Sequence, residues 1–179
     1  YSEHGVTKVD KVNFSIRGGE ILGVAGVQGN GQEQLIKAIT GLIPFQDGTV
    51  KLAGTEIQGM NIAQKRDAGM SYIPEDRMID GSAPAASIQD NLISTCYEQP
   101  KYSGKIFLKQ NVICEESQEL IDRFSIKTQS EKEKVSALSG GNIQKVVVAR
   151  EWNNKPKLMI AEQPTRGIDI GSAAYIHHQ

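Results

Sequence analysis

The stretch EILGVAGVQGNGQEQLIKAITG, residues 20–41, decides the fold of this chain. Its first seven residues form a short apolar run that ends on glycine, the pattern of a buried strand. Residues 26–31 contain three glycines, and the apolar residues after them recur at the spacing of one helix face. The order of strand, glycine-rich loop and helix is found where backbone amides bind phosphate.

Short strands and helices alternate on both sides of this loop. The predicted strands lie at residues 6–16, 20–26, 49–52, 55–57, 70–73 and 157–161. The predicted helices lie at residues 32–41, 62–67, 112–124 and 139–153, the last two amphipathic. Residues 49–57 have the pattern of a hairpin, and residues 76–110 are the hardest to interpret, with glycines and prolines scattered among short helical pieces. This alternation predicts an α/β sheet with an antiparallel strand cluster near the N-terminus.

Composition excludes several classes of protein. The 179 residues suit one domain with a sizeable core. A net charge of -1 offers no basic field for nucleic acid or for an acidic membrane surface. No segment approaches the roughly 20 apolar residues of a membrane helix, and residues 1–10 do not resemble a signal peptide. We therefore expect Cys96 and Cys114 to be reduced cytosolic thiols, with a disulfide as the alternative.

The glycine-rich loop matches the phosphate-binding pattern GxxxxGK[ST] at its glycine positions only. Gln32 stands at the lysine position and Glu33 at the position of the hydroxyl that binds Mg²⁺. Gln32 can donate a hydrogen bond but carries no charge, and Glu33 would bring a negative charge towards phosphate oxygens. A plain strand-to-helix turn rich in glycine is the alternative interpretation of this segment.

The sequence Leu138-Ser139-Gly140-Gly141-Asn142 resembles the LSGGQ signature of ATP-binding cassettes. A serine and two glycines at the start of a helix offer an anion site, because unpaired amides and the helix dipole both favour negative charge there. In cassettes, this site serves the γ-phosphate held by the opposite domain. The alternative is that Ser139 is an ordinary helix N-cap followed by glycines in a turn.

An apolar segment that ends in Glu162-Gln163-Pro164-Thr165 resembles the Walker B strand and the loop after it, which ends here at Asp169. In that family the first acidic residue holds Mg²⁺ through water and the second orients the attacking water. Gln163 cannot accept a proton, so the general base is missing. The alternatives are a solvated charge at a strand end for Glu162 and a helix N-cap for Asp169.

Residues 72–77, Tyr-Ile-Pro-Glu-Asp-Arg, occupy the place of the cassette's glutamine loop, with Glu75 at the usual glutamine. A strand that ends at a proline, followed by solvated charges, is the alternative. The five motifs occur in the cassette order over essentially the whole chain. The chain resembles the second, degenerate cassette of the fused two-cassette ATPase subunits of bacterial simple-sugar and nucleoside importers.

This resemblance implies a P-loop NTPase fold of the ABC ATPase type, with an N-terminal antiparallel β lobe and a helical lobe at about residues 80–150. Residues 1–179 would form a single nucleotide-binding domain, truncated at its C-terminus. The implied nucleotide-binding residues are Gly26, Gly29, Asn30, Gly31, Gln32, Glu33, Gln34 and Glu75. The signature, residues 138–142, would act on the partner's site. Glu162 would hold a metal through water, Gln163 takes the position of the catalytic glutamate, and Asp169 lies in the loop between domains.

The resemblance also implies a function. The chain would bind ATP and Mg²⁺ and would couple ATP hydrolysis to uptake at the cytoplasmic face of the membrane. Its partners would be a second cassette in the same polypeptide, permease subunits and, indirectly, a substrate-binding lipoprotein. The isolated domain is expected to be inactive or very weak as an ATPase. The alternatives are a regulatory or scaffold cassette that binds no nucleotide, and a cassette ATPase that acts on nucleic acid, which no basic stripe supports.

Overall fold

The computed structural model of the protein describes residues 1–3, 6–44 and 47–178. The chain forms two compact units, unit 1 at Tyr1–Met70 and unit 2 at Ser71–Gln179. Among the described residues, no helix combines the length and the apolar character that a membrane crossing requires.

Unit 1 combines two antiparallel strand pairs with two helices. Its elements are β1 (Ser2–Glu3), β2 (Val6–Thr7), α1 (Gln32–Thr40), β3 (Lys51–Leu52), β4 (Thr55–Glu56) and α2 (Ile62–Asp67). β1 pairs with β2, and β3 pairs with β4. Ala53 and Gly54 form the turn between β3 and β4, with φ angles of 49° and 83°. Two positive φ angles are typical of hairpin turns, because the twist of such a turn matches the twist of the two strands. The predicted hairpin and the antiparallel pairing near the N-terminus are confirmed.

The two helices of unit 1 are joined at the end of α1. Gly41 closes α1 with a φ of 89°, and the ammonium group of Lys65, on α2, donates a hydrogen bond of 2.7 Å to the Ile39 carbonyl oxygen. This bond satisfies one of the carbonyls that a helix leaves unpaired at its C-terminus. Burial lowers the pKa of Lys65. α2 itself begins with a capping box between Asn61 and Gln64.

Two strand predictions in unit 1 are wrong. The predicted strand at residues 6–16 is regular only at β2, and the predicted buried strand at residues 20–26 has no regular structure and is exposed, with Ile21 97% exposed. An apolar run becomes a buried strand only where neighbouring strands take up its backbone groups and its faces are covered. Within the described part of unit 1, no strand pairs with residues 20–26.

Unit 2 is built mainly from helices. Its elements are β5 (Met70–Ile73, whose first residue belongs to unit 1), α3 (Ile88–Ile93), α4 (Gln110–Arg123), a 3₁₀ turn (Val135–Ala137), α5 (Gly140–Asn153), β6 (Leu158–Ala161) and α6 (Ile170–His178). β5 pairs with β6. β5 ends immediately before Pro74, as predicted, and β6 is half-buried rather than buried. α3 is one of the short helical pieces expected in residues 76–110, although its position was not predicted, and its N-cap is Ser87.

Helix α5 is the centre of unit 2. Every residue from Ile143 to Glu151 is buried, and its apolar side chains pack with Leu92 of α3 and Phe124 at the end of α4. The prediction of an amphipathic helix is therefore wrong for α5, since a helix that is buried on all sides lacks a polar face. Glu151 is fully buried and pairs with Arg150 at 2.8 Å, and it also accepts a hydrogen bond of 3.2 Å from the Tyr72 amide.

A second carboxylate, that of the half-buried Glu116, links the middle of α4 to the C-terminal end of α5. Glu116 accepts hydrogen bonds of 2.7 Å from the Tyr102 hydroxyl and from the Asn153 side-chain amide, and it pairs with Lys101. Burial by itself raises the pKa of Glu116, but the bonds from Lys101, Tyr102 and Asn153 outweigh burial and hold that pKa below its ordinary value. The neighbouring Cys96 is a buried free thiol.

Candidate functional site

The glycine-rich loop of unit 1 is a turn that leads directly into α1. The Asn30 amide donates a hydrogen bond of 3.2 Å to the Val27 carbonyl oxygen, and Gly29 and Gly31 have φ angles of 91° and 98°. Glycine adopts these angles without strain. A Cβ at Gly31 would also collide with the carbonyl oxygen of Lys8, so this position has no room for a side chain.

The side chain of Gln32 folds back over the loop. Its amide nitrogen donates a hydrogen bond of 3.3 Å to the Val27 carbonyl oxygen, and it lies in the space that a Cβ at Gly26 would fill. In the phosphate-binding pattern, a lysine at this position reaches the phosphates. Here the residue closes its own loop with a neutral hydrogen bond.

Glu33 and Gln34 occupy the next two positions. Glu33 pairs with Lys37 at 2.6 Å, one turn further along α1. This i,i+4 pair offsets the negative charge near the helix start, although exposed pairs of this kind contribute only about 0.3–0.5 kcal/mol. The side-chain carbonyl oxygen of Gln34 is buried and has no hydrogen-bond partner among the described residues.

The signature segment of unit 2 forms the N-terminus of α5. Ser139 is the N-cap, and its hydroxyl oxygen accepts bonds of 3.4 Å from the Asn142 amide and 2.9 Å from the Asn142 side chain. The side-chain oxygen of Asn142 accepts a bond of 2.9 Å from the Lys127 amide. Leu138 is half-buried and packs against the core. The N-cap part of the alternative interpretation is confirmed, but Gly140 and Gly141 lie in the first turn of helix α5 and not in a loop turn, and Ser139 is exposed at the helix start.

The two signature glycines lie against two different groups. An ideal Cβ at Gly140 would lie 2.8 Å from a terminal guanidinium nitrogen of Arg77. A Cβ at Gly141 would collide with the Ser172 hydroxyl and lie 3.0 Å from a carboxylate oxygen of Asp169. A side chain at Gly141 would therefore meet Ser172 and Asp169, and a side chain at Gly140 would have to displace the end of the Arg77 side chain.

The end of β6 carries the pair Glu162-Gln163. Glu162 accepts a short hydrogen bond from the Tyr72 hydroxyl on the neighbouring strand, and its amide donates a bond of 2.9 Å to the Ile73 carbonyl oxygen. Gln163 is exposed and has a φ of 43°, which is uncommon outside glycine. Its carbonyl oxygen accepts a bond of 2.9 Å from the Arg166 amide, so residues 163–167 form a turn.

The turn at residues 163–167 is bonded to the loop after β5. Arg77 donates bonds of 2.8 Å to the Arg166 carbonyl oxygen and 3.1 Å to the Gly167 carbonyl oxygen. The Arg166 side chain forms an ion pair with Glu75. Glu75, predicted as a nucleotide-binding residue, is thus paired within unit 2.

Asp169 immediately precedes α6. Its carboxylate accepts bonds of 2.9 Å from the Ser172 amide and 2.8 Å from the Ser172 hydroxyl. These two bonds lower the pKa of Asp169, and the bond from the Ser172 amide has the larger effect. The N-cap interpretation of Asp169 is confirmed by this geometry.

The described residues do not supply a metal site of their own. No group of three or more His, Cys, Asp or Glu side chains among them could hold a metal ion. In unit 2, Glu162 is bonded to Tyr72 and is followed by a neutral glutamine. In unit 1, Glu33 is paired with Lys37. The donor set expected for Mg²⁺, several oxygen ligands around one point, is not found among the residues that the structure describes in either unit.

Unit 2 brings together three segments that lie far apart in the sequence: the signature, residues 75–77 and residues 166–172. The glycine-rich loop belongs to unit 1. Sequence reasoning missed the roles of Tyr72, Arg77 and Ser172. The first two stood inside a recognised motif, but no sequence pattern identifies the partners that they contact.

Comparisons with known proteins agree with these motifs. A family model described as "ABC transporter" matches residues 9–166. The chain is 39% identical over 173 residues to the nucleoside import ATP-binding protein NupA of Lactococcus lactis subsp. cremoris (strain MG1363), with 97% of this chain and 34% of the relative covered. It is 37% identical over 173 residues to the guanosine import ATP-binding protein NupO of Bacillus subtilis (strain 168), with the same coverage. The chain thus spans about a third of the length of these curated relatives.

A solved structure is also similar. It is the dimeric, post-hydrolysis state of the ATP-binding cassette MJ0796 bound to ADP and Pi, with a TM-score of 0.74 and 21% identity. The similarity covers 93% of this chain and 70% of that one. The family match over most of the chain and this structural similarity show that the chain belongs to the ABC transporter family and has the fold of an ATP-binding cassette, a P-loop NTPase.

Proposed function

We propose that this chain is the degenerate cassette of an importer for simple sugars or nucleosides, and that its signature completes the active site of a competent partner cassette. The relatives named above are import ATP-binding proteins, and the chain corresponds in length to about a third of each. Units 1 and 2 would form one nucleotide-binding domain over residues 1–179, with a helical lobe at about residues 80–150. The family match spans both units, which supports this assignment.

The observation that carries the proposal is a contrast between two sets of residues. The signature keeps its serine at the N-cap, exposed, and its two glycines at the start of α5. The side chains at this chain's own phosphate and metal positions are bonded elsewhere: Gln32 to Val27, Glu33 to Lys37 and Glu162 to Tyr72. This chain therefore keeps the part of the machinery that acts in trans, while the part that acts in cis lacks the lysine, the Mg²⁺-binding hydroxyl and the catalytic carboxylate, whose positions hold Gln32, Glu33 and Gln163.

The signature would stabilise negative charge at the partner's site. Its Ser139 hydroxyl and the first amides of α5 would face the γ-phosphate of ATP held, with Mg²⁺, by the partner's glycine loop. The positive end of the helix dipole strengthens this interaction. Donors that are held in place before the reaction need no rearrangement when charge develops, which is how such groups lower a barrier.

The chain's own site would bind nucleotide weakly, through the loop that carries Gly29, Gly31 and Gln32. It would not hydrolyse ATP, because Gln163 cannot accept a proton and Gln32 cannot neutralise phosphate charge. Loss of a positioned base alone lowers a rate by about 10²–10⁴-fold. We therefore expect negligible turnover by the isolated chain.

The proposal includes the assembly. The second cassette would be the first half of the same polypeptide, and both would bind permease subunits at the cytoplasmic face of the membrane. A substrate-binding lipoprotein would act through the permease. No nucleic acid partner is proposed, because a chain with a net charge of -1 has no basic field to attract one.

The test measures ATP turnover by the competent cassette, purified as a separate polypeptide, with and without this chain. We expect the chain to stimulate turnover strongly while it shows almost none alone. Stimulation should be lost with Ser139→Ala and kept with Ser136→Ala, a matched serine on the exposed 3₁₀ turn. Turnover that is unchanged by added chain would contradict the proposal.

A regulatory or scaffold cassette that binds no nucleotide is the second candidate. The fold of Gln32 over Gly26 favours it, because the side chain fills the loop from within. Calorimetric titration of the chain with Mg-ATP and with ADP distinguishes the two. Weak but saturable binding supports a degenerate nucleotide site, whereas an absence of heat at millimolar nucleotide supports the scaffold.

A further inference from the structure

We propose that Arg77 is a positioning residue that ties the first turn of the signature helix to the turn after β6. Arg77 belongs to the motif at residues 72–77, in which the cassette resemblance assigns a role only to Glu75. The inference rests on the proposed function for its effect on ATP turnover, but the tie itself is argued from contacts within unit 2.

The loop that carries Arg77 is fixed on both sides. Asp76 accepts hydrogen bonds of 2.8 Å from the Met78 amide and 3.0 Å from the Ile79 amide, which close a tight turn. An ideal Cβ at Gly81 would lie 2.7 Å from the Cα of Arg77, and the Ser82 hydroxyl donates a bond of 2.7 Å to the Arg77 carbonyl oxygen. The backbone of Arg77 therefore has little freedom, and its side chain projects from a rigid base.

The guanidinium group binds two successive carbonyls, those of Arg166 and Gly167, at 2.8 and 3.1 Å. Gly167 has a φ of 64°, so the chain turns at this point. A planar guanidinium presents its donors as a fork, which matches two neighbouring acceptors. An ammonium group is a point charge and lacks this fork. The contact therefore depends on arginine and not on positive charge alone.

The same guanidinium fills the space beside the signature. One terminal nitrogen lies 2.8 Å from the position of a Cβ at Gly140. Because its two hydrogen bonds hold the guanidinium in place, it cannot move aside freely. Gly140 is therefore required by Arg77, independently of any phosphate that approaches the helix.

The adjacent glycine extends this arrangement to α6. Gly141 lies against Asp169 and Ser172, at the N-terminus of α6. The Glu75 to Arg166 ion pair adds a second link between the two loops. The first turn of the signature helix thus lies beside Arg77 at Gly140 and beside Asp169 at Gly141. A displacement of the turn at residues 163–167 would be passed to the signature through Arg77.

The first test is a double-mutant cycle in the chain, read by thermal unfolding and by hydrogen exchange of residues 139–143 and 166–169. Gly140→Ala should lower the Tm in the wild type and lower it much less in an Arg77→Ala background, because the colliding group is gone. Arg77→Ala should speed exchange in both segments together. Arg123→Ala is the control, because it removes an exposed arginine from the same unit. It should neither reduce the Tm cost of Gly140→Ala nor speed exchange in the two segments. Additive Tm shifts, or faster exchange in one segment only, would overturn the inference.

The second test uses the assembly of two cassettes with permease. Arg77→Ala and Arg77→Lys should both lower kcat for ATP by about tenfold or more while KM changes less than about twofold, because the partner's loop holds the nucleotide. A smaller folded fraction would also lower the apparent kcat at an unchanged KM, so turnover is expressed per folded assembly, with the folded fraction of each variant measured by thermal unfolding. Ser139→Ala is measured beside them. If Ser139→Ala impairs turnover and Arg77→Ala does not, the Arg77 inference is wrong and the proposed function stands. If Ser139→Ala has no effect, the proposed function is wrong, and the double-mutant cycle alone decides on Arg77.

Discussion

The Tyr72 hydroxyl donates a hydrogen bond to the Glu162 carboxylate across the strand pair β5 and β6. Glu162 stands where the cassette resemblance expects an aspartate that holds a metal through water. Its carboxylate is engaged within the sheet of unit 2, and the next residue, Gln163, carries no charge. The acidic residue at this strand end therefore acts first as a structural partner of Tyr72.

Tyr72→Phe should lower the free energy of unfolding by about 1–2 kcal/mol, because it leaves a half-buried carboxylate without its hydroxyl donor. Glu162→Gln should cost a similar amount, and the double variant should cost less than the sum of the two. Urea denaturation at pH 7 measures all three. Tyr97→Phe is the control, since the Tyr97 hydroxyl bonds to Glu98 in an exposed pair, and no measurable change is expected. Additive effects at Tyr72 and Glu162 would show that the bond contributes nothing.

Sequence predicted the helices where local signals were strong. Glycines bound α1 at both ends, Asn61 and Gln64 form a capping box before α2, and Ser139 caps α5. These signals act within a few residues, so the sequence alone contains them. The prediction of a buried strand at residues 20–26 was wrong, because burial of a strand depends on partners that are distant in the chain. The position of α3 was missed because its six residues are too short for a helical period to stand out.

In the candidate site, too, local motifs were predicted and contacts between distant residues were not. Motif spacing identified the glycine-rich loop, the signature and the strand end at Glu162. It did not identify Tyr72 as the partner of Glu162, or Arg77 as the neighbour of Gly140, because those pairs are 90 and 63 positions apart. Long-range side-chain contacts leave no periodic trace in a single sequence.

Gly31→Ala should destabilise unit 1 by at least about 1–2 kcal/mol, because a Cβ strains a left-handed backbone. The collision with the Lys8 carbonyl oxygen would add to this cost. Gly18→Ala is the matched control: Gly18 has no positive φ and no atom within 4 Å of an added Cβ. Chemical denaturation measures the free energy of unfolding of both variants, and hydrogen exchange of the α1 amides locates the effect. Equal stability of the two variants would mean that the loop adopts another conformation.

Glu116→Gln should destabilise unit 2 by about 1–3 kcal/mol at pH 7, because Lys101 and Tyr102 lose a charged acceptor. The pKa of Glu116 is held below its ordinary value of 4.5. Its contribution to stability is therefore fully present above pH 4.5 and is lost as the pH falls through the folded-state pKa. The stability difference between wild type and variant should be constant from pH 5 to 7 and should shrink below pH 4.5. Denaturation at several pH values, with the exposed Glu119→Gln as control, measures it. A difference that grows as the pH falls would contradict the assignment.

The last prediction compares the signature with the glycine-rich loop in the assembled transporter. Ser139→Ala should strongly reduce ATP turnover and uptake, because the hydroxyl and the first amides of α5 would act on the partner's γ-phosphate. Gln32→Ala should be mild, because its amide only closes its own loop on the Val27 carbonyl oxygen. Gly141→Asp is a poorer probe than Ser139→Ala, since a side chain there would collide with Ser172 and approach Asp169 before reaching any partner.

Loss of the Ser139 cap also costs about 1 kcal/mol of helix stability, so a second N-cap supplies the control. Ser87→Ala removes the N-cap of α3 in the same unit without touching the signature. If Ser139→Ala acted only by destabilising the fold, Ser87→Ala would reduce uptake to the same extent whenever it lowered the Tm by the same amount. We expect Ser87→Ala to leave turnover near the wild-type rate, and Ser139→Ala to lower it well beyond its effect on Tm. Should Gln32→Ala prove as damaging as Ser139→Ala, the two sites would be equally important, and the asymmetry proposed for this cassette would be wrong.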